Sequence, residues 1–253
     1  VQAAERELDV EKQMQIIENL LQTGIRVLIV TPSGSREIAS AIAKANLADV
    51  PVIVVDTRVD PKAAADNKLK IASFVGSDNY EGGRLAGEYM AKSTGGKARV
   101  AILEGIPGHE TGDSRLRGFR EALQQYPGMT IVASQPANWE RDLGFTVFQN
   151  MLQAHGDIDA LFACSDLMAL GAVEAIAAAG RSGSILVVGF DALDDARKMI
   201  EAGRMDAFVA QSPHDMGRIA VESAARLLRG DAVPVEQKVP IALVTKSGTT
   251  GSH

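Results

Sequence analysis

Cysteine is nearly absent from this sequence, which excludes several classes of protein. The 253 residues include one cysteine, Cys164, so no disulfide can form within the chain. No C-x-x-C, H-E-x-x-H or G-x-x-x-x-G-K-[ST] motif is present, and the four histidines, at 109, 155, 214 and 253, have no ligand spacing. The sequence therefore predicts neither a metal site nor a cofactor, and cysteine content does not decide the cellular compartment.

Long apolar runs and excess positive charge are missing too. No apolar run approaches the roughly 18 residues that span a bilayer, and the opening "VQAAERELDVEKQ" is charged and helix-like, unlike a secretory signal. A net charge of −6 disfavours nucleic acid and anionic membranes as partners. With 46% hydrophobic and 23% charged residues, the composition is that of a soluble globular protein of one large or two small domains.

The chain alternates between short apolar runs and longer amphipathic stretches. Near-continuous apolar strands are predicted at 27–32, 51–56, 70–76, 98–105, 130–137, 160–165, 184–191 and 207–212. Helices are predicted from Leu8 to a stop at Gly24, and at 35–46, 79–93, 114–125, 141–154, 166–179, 193–202 and 214–229. This order predicts an α/β fold with doubly wound parallel sheets. The tail "KSGTTGSH" (246–253) is interpreted as a loose end or cloning remnant.

Polar residues end many of the apolar strands, at the level where open parallel sheets bind ligands. They are Asp56, Glu104, the 136–139 region, Ser165, Asp191 and Gln211. Alternatively, Asp and Ser at such points cap the next helix. We interpret Asp166 as such a cap, because "DLMALGAVEAI" begins there. Asp194 offers a cap for the helix after Asp191, which leaves Asp191 free for another task.

Several stretches resemble the ribose-binding-protein type of periplasmic sugar-binding protein. They are "GSDNYEGGRLAGEYM", "ASQPANWERDLGFTVFQNML", "SDLMALGAVEAIAAAG", "VVGFD" and "FVAQSPHDMG". The likeness runs in unbroken order from about residue 1 to 246. It implies two α/β lobes, 1–77 with 212–239 and 78–211 with 240–253, joined by three crossing strands and closing on a sugar by a hinge.

The resemblance also implies a set of sugar contacts. Asp56, Asp191 and Gln211 would bind hydroxyls, Arg115 would donate to oxygens, and Trp139 would stack on the sugar's C–H face. Each has a structural alternative. Arg115 could be a solvated helix charge, Trp139 could be simple packing, and Gln211 could satisfy backbone groups at the hinge.

The sequence departs from the family pattern at two site positions. Thr57 separates Asp56 from Arg58, where the family often has Arg directly after Asp, so Thr57 and Arg58 are weaker candidates. Ser165 stands where the family usually has Asn. A hydroxyl donates once whereas a carboxamide donates twice, so the shorter Ser165 predicts room for a bulkier ligand or a water, and an altered ligand preference.

The third departure is at the start, where the family's first strand–helix–strand unit has no counterpart in the sequence. That unit of about 30 residues supplies the first lobe with its central strand. Either the protein is truncated or the sequence omits a segment. We favour omission, because a lobe without its central strand would expose its core.

Three functions compete. The leading hypothesis is a monomeric, periplasmic solute-binding protein (lipid-anchored and extracellular if the source has no outer membrane) that delivers a sugar or polyol to the membrane permease of an ABC importer. The second is the sensing domain of a lactose-repressor-type regulator or a sensor kinase. An enzyme is disfavoured, because no G-x-S-x-G elbow surrounds Ser165. We expect Cys164 to lie in the core, Asp166 to cap the helix and Ser165 to face the ligand.

Overall fold

The computed structural model describes residues 1–4 and 9–251 of the chain. Two compact units are present: residues 1–77 with 212–239 form the first, and residues 78–211 with those from 240 onward form the second. The chain passes between them at 77/78, 211/212 and 239/240. Each unit has its own sheet and its own apolar core.

The helices of the described residues are α1 (Val10–Gln22), α2 (Ile38–Leu47), α3 (Pro61–Asp66), α4 (Asn79–Ser93), α5 (Glu110–Gln124), α6 (Arg141–Ala154), α7 (Asp166–Ala178), α8 (Asp194–Glu201) and α9 (Pro213–Leu228). The strands are β1 (Leu28–Val30), β2 (Val52–Val55), β3 (Ser73–Gly76), β4 (Lys97–Glu104), β5 (Gly128–Pro136), β6 (Ala160–Ala163), β7 (Leu186–Asp191), β8 (Ala207–Ala210), β9 (Glu236–Lys238), β10 (Ala242–Thr245) and β11 (Gly248–Gly251). Within the same ranges, no helix has the length and apolarity needed to cross a membrane.

The sheet of the first unit is parallel, with its described strands in the order β1-β2-β3-β9. Strand β2 shows why its apolar run is continuous. Val52 and Val54 pack into the cluster that includes residues of α1 and α2, whereas Ile53 and Val55 pack with residues of α9 on the other face. Successive side chains of a strand point to opposite faces, so a sheet covered on both faces needs apolar residues at every position.

The sheet of the second unit has the described order β11-β10-β8-β7-β6-β4-β5. Strands β4 to β8 pair in parallel, so their carboxyl ends meet at one edge. The sheet is not wholly parallel, however. Strand β10 pairs antiparallel with both β8 and β11. Neither β10 nor β11 was predicted, and the eight predicted strands pair with one another only in parallel.

All eight predicted strands and all eight predicted helices form, with shifted ends. Helix α5 begins at Glu110, earlier than predicted. The prediction began too late because the first turn is polar and shows no apolar period. The acidic side chains of that turn suit a helix N-terminus. Gly24 has φ +74°, as expected of a residue just beyond a helix end. Leu8, the predicted start of the first helix, lies outside the described residues.

Four short elements, α3, β9, β10 and β11, were not predicted from the sequence. Each has only three to six residues, too few to show the periodicity on which the prediction depends. The interpretation of residues 246–253 as a loose end is wrong for the described part, because Gly248–Gly251 pairs with β10. Ser252 and His253 lie outside the described residues.

Candidate ligand-binding site

Arg115 lies on α5 with 3% of its surface exposed, which rules out the solvated helix charge. Its Nε donates to Asn79 Oδ1 at 2.9 Å, and its Nη1 donates to the Cys164 carbonyl at 2.7 Å. Nη1 also lies 3.2 Å from Asp191 Oδ1. The guanidinium stacks 3.7 Å from the ring centroid of Phe190. A buried cation needs such partners to offset its lost hydration.

The backbone of Arg115 is fixed by a close crossing of α4 and α5. A Cβ at Gly83 would lie 1.9 Å from the Arg115 carbonyl oxygen, and a Cβ at Gly118 would lie 1.9 Å from that of Tyr80. Only glycine permits this approach at either position. Gly83 and Gly118 therefore determine where the backbone of Arg115 lies relative to α4.

Asp191 ends β7 and joins two other candidate residues. Its Oδ1 accepts from Arg115 Nη1 and from Gln211 Nε2, the latter at 2.7 Å. The side chain keeps 31% exposure, in contrast to Arg115. The backbone is unusual, with φ +121° at Asp191 and +82° at Ala192. Such strain in residues other than glycine concentrates at functional sites.

Gln211 follows β8, and the nitrogen and the oxygen of its side-chain amide differ in their hydrogen bonding. Its Nε2 is bonded to Asp191, so its side chain does more than satisfy backbone groups. Its Oε1 is buried and accepts no hydrogen bond from any residue that the structure describes. A buried carbonyl oxygen without a donor is costly, so a ligand hydroxyl at this point would stabilise the protein.

Trp139 retains 9% of its accessible surface and is part of the core cluster of the second unit. Cβ atoms at Gly105 and Gly112 would lie 2.1 Å and 3.0 Å from indole carbons, so the two glycines make room for the ring. His109 meets the indole edge-on at 6.0 Å between centroids. Most of the indole ring is therefore packed in the core, and the backbone of Trp139 has φ +68°.

Two helix caps differ from the prediction. Ser165, not Asp166, is the N-cap of α7: it has extended backbone, and its Oγ accepts from Met168 N at 3.4 Å. Asp166 is already the first helical residue. Leu193, not Asp194, precedes α8, and the Leu193 side chain itself makes no capping hydrogen bond. Both predictions were wrong by one residue, because the apolar period does not fix where helical dihedrals begin.

Asp166 instead binds the turn that follows β7. Fully buried, it accepts from Ala192 N at 2.8 Å and Leu193 N at 2.9 Å through Oδ2. Burial raises the pKa of Asp166 to about 8, and the Asp191 carboxylate adds to the rise. The Leu193 and Ala192 N–H groups oppose it. The carboxyl group of Asp166 therefore joins the start of α7 to the turn after β7.

Cys164 lies in the core, as predicted, with no exposed surface. Burial raises the pKa of its thiol to about 12. A thiol of such high pKa provides little of the thiolate that nucleophilic chemistry requires. Its backbone carbonyl, which accepts from Arg115, is the part of Cys164 that belongs to the candidate site.

Asp56 of the first unit ends β2 in a tight turn. Thr57 N donates to the Val55 carbonyl at 2.7 Å, and Asp56 between them has φ +63°. A three-residue turn of this hand is rare and strained. Asp56 N also donates to the Val75 carbonyl at 2.8 Å, which ties the turn to β3. Asp56 is partly exposed, whereas Thr57 is buried.

Arg58 is engaged elsewhere in the first unit. Its Nη2 lies 2.7 Å from Glu236 Oε1 on β9, and its guanidinium stacks 3.7 Å from the ring centroid of Phe74. Glu104, another strand-end residue, belongs to the second unit and pairs with Ser134 and Arg120.

Two residues that hold Arg115, Asn79 and Phe190, were not predicted from the sequence. Asn79 is 4% exposed and follows Asp78, the N-cap of α4, so its polarity gave no sign of burial. Phe190 is buried next to Asp191, and an aromatic residue in an apolar strand is indistinguishable from core. No group of three or more His, Cys, Asp or Glu in the described part of the chain is arranged to hold a metal ion.

The site of the second unit thus combines a guanidinium, a carboxylate, a carboxamide and an indole. Its polar groups are bonded to one another before any ligand arrives. Such a set suits a neutral molecule with many hydroxyls and an apolar face, because hydroxyls can both donate and accept.

Comparison with known proteins gives the same class. The family model for the periplasmic binding protein domain matches residues 1–232. The ribose import binding protein of Escherichia coli is 37% identical over 235 residues, 93% of this chain and 76% of that protein. The D-ribose/D-allose-binding protein of Pseudomonas aeruginosa is 36% identical, over 94% of this chain and 76% of that protein.

A solved structure agrees in fold. It is an ABC transporter periplasmic solute-binding protein of Actinobacillus succinogenes with bound D-allose, 38% identical, with a TM-score of 0.93. The match covers 98% of this chain and 86% of the other. This chain therefore belongs to the periplasmic binding protein family, in the group of sugar-import binding proteins. The predicted family and α/β fold class, the type I fold of that family, are confirmed.

Proposed function

We propose that this protein binds a monosaccharide of the ribose and allose type and presents it to the permease of an ABC importer. Two relatives are named for ribose, or ribose and allose, and a structural neighbour holds D-allose. These two sugars share the configuration of their first three secondary hydroxyls, so one arrangement of polar groups could bind either. The importer relatives favour this function over the sensing domain of a regulator.

The observation that carries the proposal is the environment of Asp191. Its carboxylate is fixed by Arg115 and Gln211, yet it keeps 31% exposure. A carboxylate held this way can accept from two hydroxyls of one sugar without reorganising. Arg115 would donate to a ring or hydroxyl oxygen, and Gln211 Oε1 would accept from a further hydroxyl.

The remaining assignments follow the chemistry of each side chain. Trp139 would present the exposed part of its indole to the C–H face of the sugar. Ser165 would bind through its hydroxyl hydrogen, because its oxygen accepts from Met168 N. Asp56 stays a prediction as an acceptor at the carboxyl end of the first unit's sheet. Thr57 and Arg58 stay weaker candidates, since one is buried and the other is paired with Glu236.

The role in import carries further proposals. We assign the protein to the periplasm, with the permease as its membrane partner, as a monomer that performs no chemistry. The role is supported by the Escherichia coli relative, which is named as an import binding protein, and by the Actinobacillus succinogenes structure, which is of an ABC transporter solute-binding protein. The buried thiol of Cys164, with its raised pKa, also gives no support to a nucleophilic enzyme.

A thermal-shift screen tests the proposal. The purified chain is melted with D-ribose, D-allose, D-galactose, D-fructose and myo-inositol. A ligand at a hundred times its dissociation constant adds about 2.7 kcal/mol to the free energy of unfolding. We expect D-ribose or D-allose to give the largest rise in melting temperature. No shift with either sugar, or a larger shift with myo-inositol, would contradict the assignment.

A further inference from the structure

The turn after β7 has a conformation that its own residues disfavour. Asp191 has φ +121° and Ala192 has φ +82°, and neither is glycine. L side chains rarely adopt such dihedrals, so two in succession require support from outside the turn. The turn matters because it aims the Asp191 carboxylate at Arg115 and Gln211.

Asp166 supplies two hydrogen bonds to this turn. Its Oδ2 accepts from Ala192 N at 2.8 Å and from Leu193 N at 2.9 Å. Leu193 is the N-cap residue of α8. At this position a polar side chain ordinarily accepts a hydrogen bond from an N–H group of the first turn, but the leucine side chain makes none. A carboxylate from another helix therefore fixes this entry into α8.

The packing around Asp166 leaves it little freedom. The residue has no exposed surface. A Cβ at Gly189 of the neighbouring strand would lie 2.4 Å from its Oδ1, so glycine is needed there to admit the carboxylate. Oδ1 has no hydrogen-bond partner among the residues that the structure describes. Asp166 therefore binds the turn through Oδ2 while its Oδ1 stays without a hydrogen bond from the described residues.

We propose that Asp166 is a positioning residue, which holds the strained Asp191–Ala192 turn so that Asp191 presents its carboxylate to the ligand. The inference rests on the proposed function only for the role of Asp191 as a ligand group. The hydrogen-bond acceptor of Asp166 holds the turn, and its charge is not required. We therefore expect asparagine at position 166, which keeps an acceptor, to preserve the turn, and alanine to disrupt it.

Amide hydrogen exchange tests the positioning role without any sugar. In D166A we expect exchange at Ala192 and Leu193 to rise about tenfold or more, since local opening follows the loss of hydrogen bonds. D166N should stay within about threefold of the wild type. Because D166N keeps volume and acceptor, it tests the proposal even if D166A does not fold. Unchanged exchange in folded D166A, or a tenfold rise in D166N, would overturn it.

Asp206 offers a matched control. Its Oδ2 accepts from Val187 N at 2.8 Å, a carboxylate-to-backbone bond near the other end of β7. D206A should raise exchange at Val187 and leave Ala192 and Leu193 unchanged. If D206A loosens the Ala192 amide as much as D166A does, the effect is general destabilisation and the assignment falls.

A rescue experiment separates positioning from packing. Glycine adopts φ near +82° without strain, so A192G should lower the cost of the turn when Asp166 is lost. We expect D166A to weaken D-ribose binding about tenfold or more, and D166A/A192G to recover about threefold or more of that loss. No recovery would assign Asp166 to packing alone and overturn the proposal. If the wild type binds no sugar while the exchange results hold, the proposed function fails and the positioning role stands.

Discussion

Arg115 Nη1 lies 3.2 Å from Asp191 Oδ1, which joins a buried cation to a carboxylate that is still partly exposed. The difference in exposure indicates different roles for the two side chains. Arg115 is held from within the second unit by Asn79 and the Cys164 carbonyl. The Asp191 side chain, in contrast, is 31% exposed. We propose that a ligand binds at this exposed part of the carboxylate.

Asn79 should influence ligand affinity through Arg115. N79A removes the acceptor of Arg115 Nε, and a hydrogen bond to a charged group contributes about 1.5–3 kcal/mol. We expect roughly tenfold or weaker binding of D-ribose by calorimetry. R117A is the control, because Arg117 lies on the same helix facing Tyr80. Equal affinity in N79A and wild type would show that Asn79 does not position Arg115 for ligand binding.

Gly83 should tolerate no side chain, because a Cβ there would lie 1.9 Å from the Arg115 carbonyl oxygen. We expect G83A to lower the free energy of unfolding by about 1–3 kcal/mol. Gly217 on α9 is the matched control, since nothing lies within 4 Å of its Cβ position. G217A should raise stability by about 0.5–1 kcal/mol. Urea denaturation measures both, and a neutral G83A would refute the close crossing.

Asp166 should make stability fall as the pH rises. Burial raises its pKa to about 8 in the folded protein, against 3.8 for an ordinary aspartate, so between these values the folded state holds a proton that the unfolded state has lost. The free energy of unfolding should then decrease from about pH 4 to about pH 8 and level off above. D166N cannot titrate and should lack this component. Denaturation curves of both proteins across that range test it, and parallel pH profiles would contradict the raised pKa.

Ser165 should influence the choice between sugars. S165N introduces a larger side chain, which would reduce the room for a ligand bound beside this position. We expect the affinity for D-allose to fall relative to that for D-ribose, by about tenfold, since one extra group in a tight pocket costs about 1–3 kcal/mol. Competition calorimetry with both sugars measures the ratio. An unchanged ratio would place Ser165 away from the ligand, with helix capping as its only role.

Strands β1 to β8 could be predicted from the sequence because burial on two faces leaves a clear signature, as in Val52–Val55. The sequence could not predict the dihedrals that aim the candidate residues. Asp56, Trp139 and Asp191 all have positive φ, which depends on neighbours distant in sequence. Asp166 shows the same limit, because its partners, Ala192 and Leu193, come after an intervening helix and strand. Short edge strands such as β11 carry too few apolar residues to be seen.

The most direct measurement is calorimetric titration of D-ribose into wild type, D191N and D195N. Asp195 is an exposed aspartate on α8 paired with Lys198, so D195N controls for the loss of one charge. We expect wild type and D195N to bind alike. D191N should bind about 10- to 100-fold more weakly, because a charge-assisted hydrogen bond of about 1.5–3 kcal/mol is lost. Equal affinity in D191N and wild type would contradict the central claim that Asp191, fixed by Arg115 and Gln211, holds the sugar.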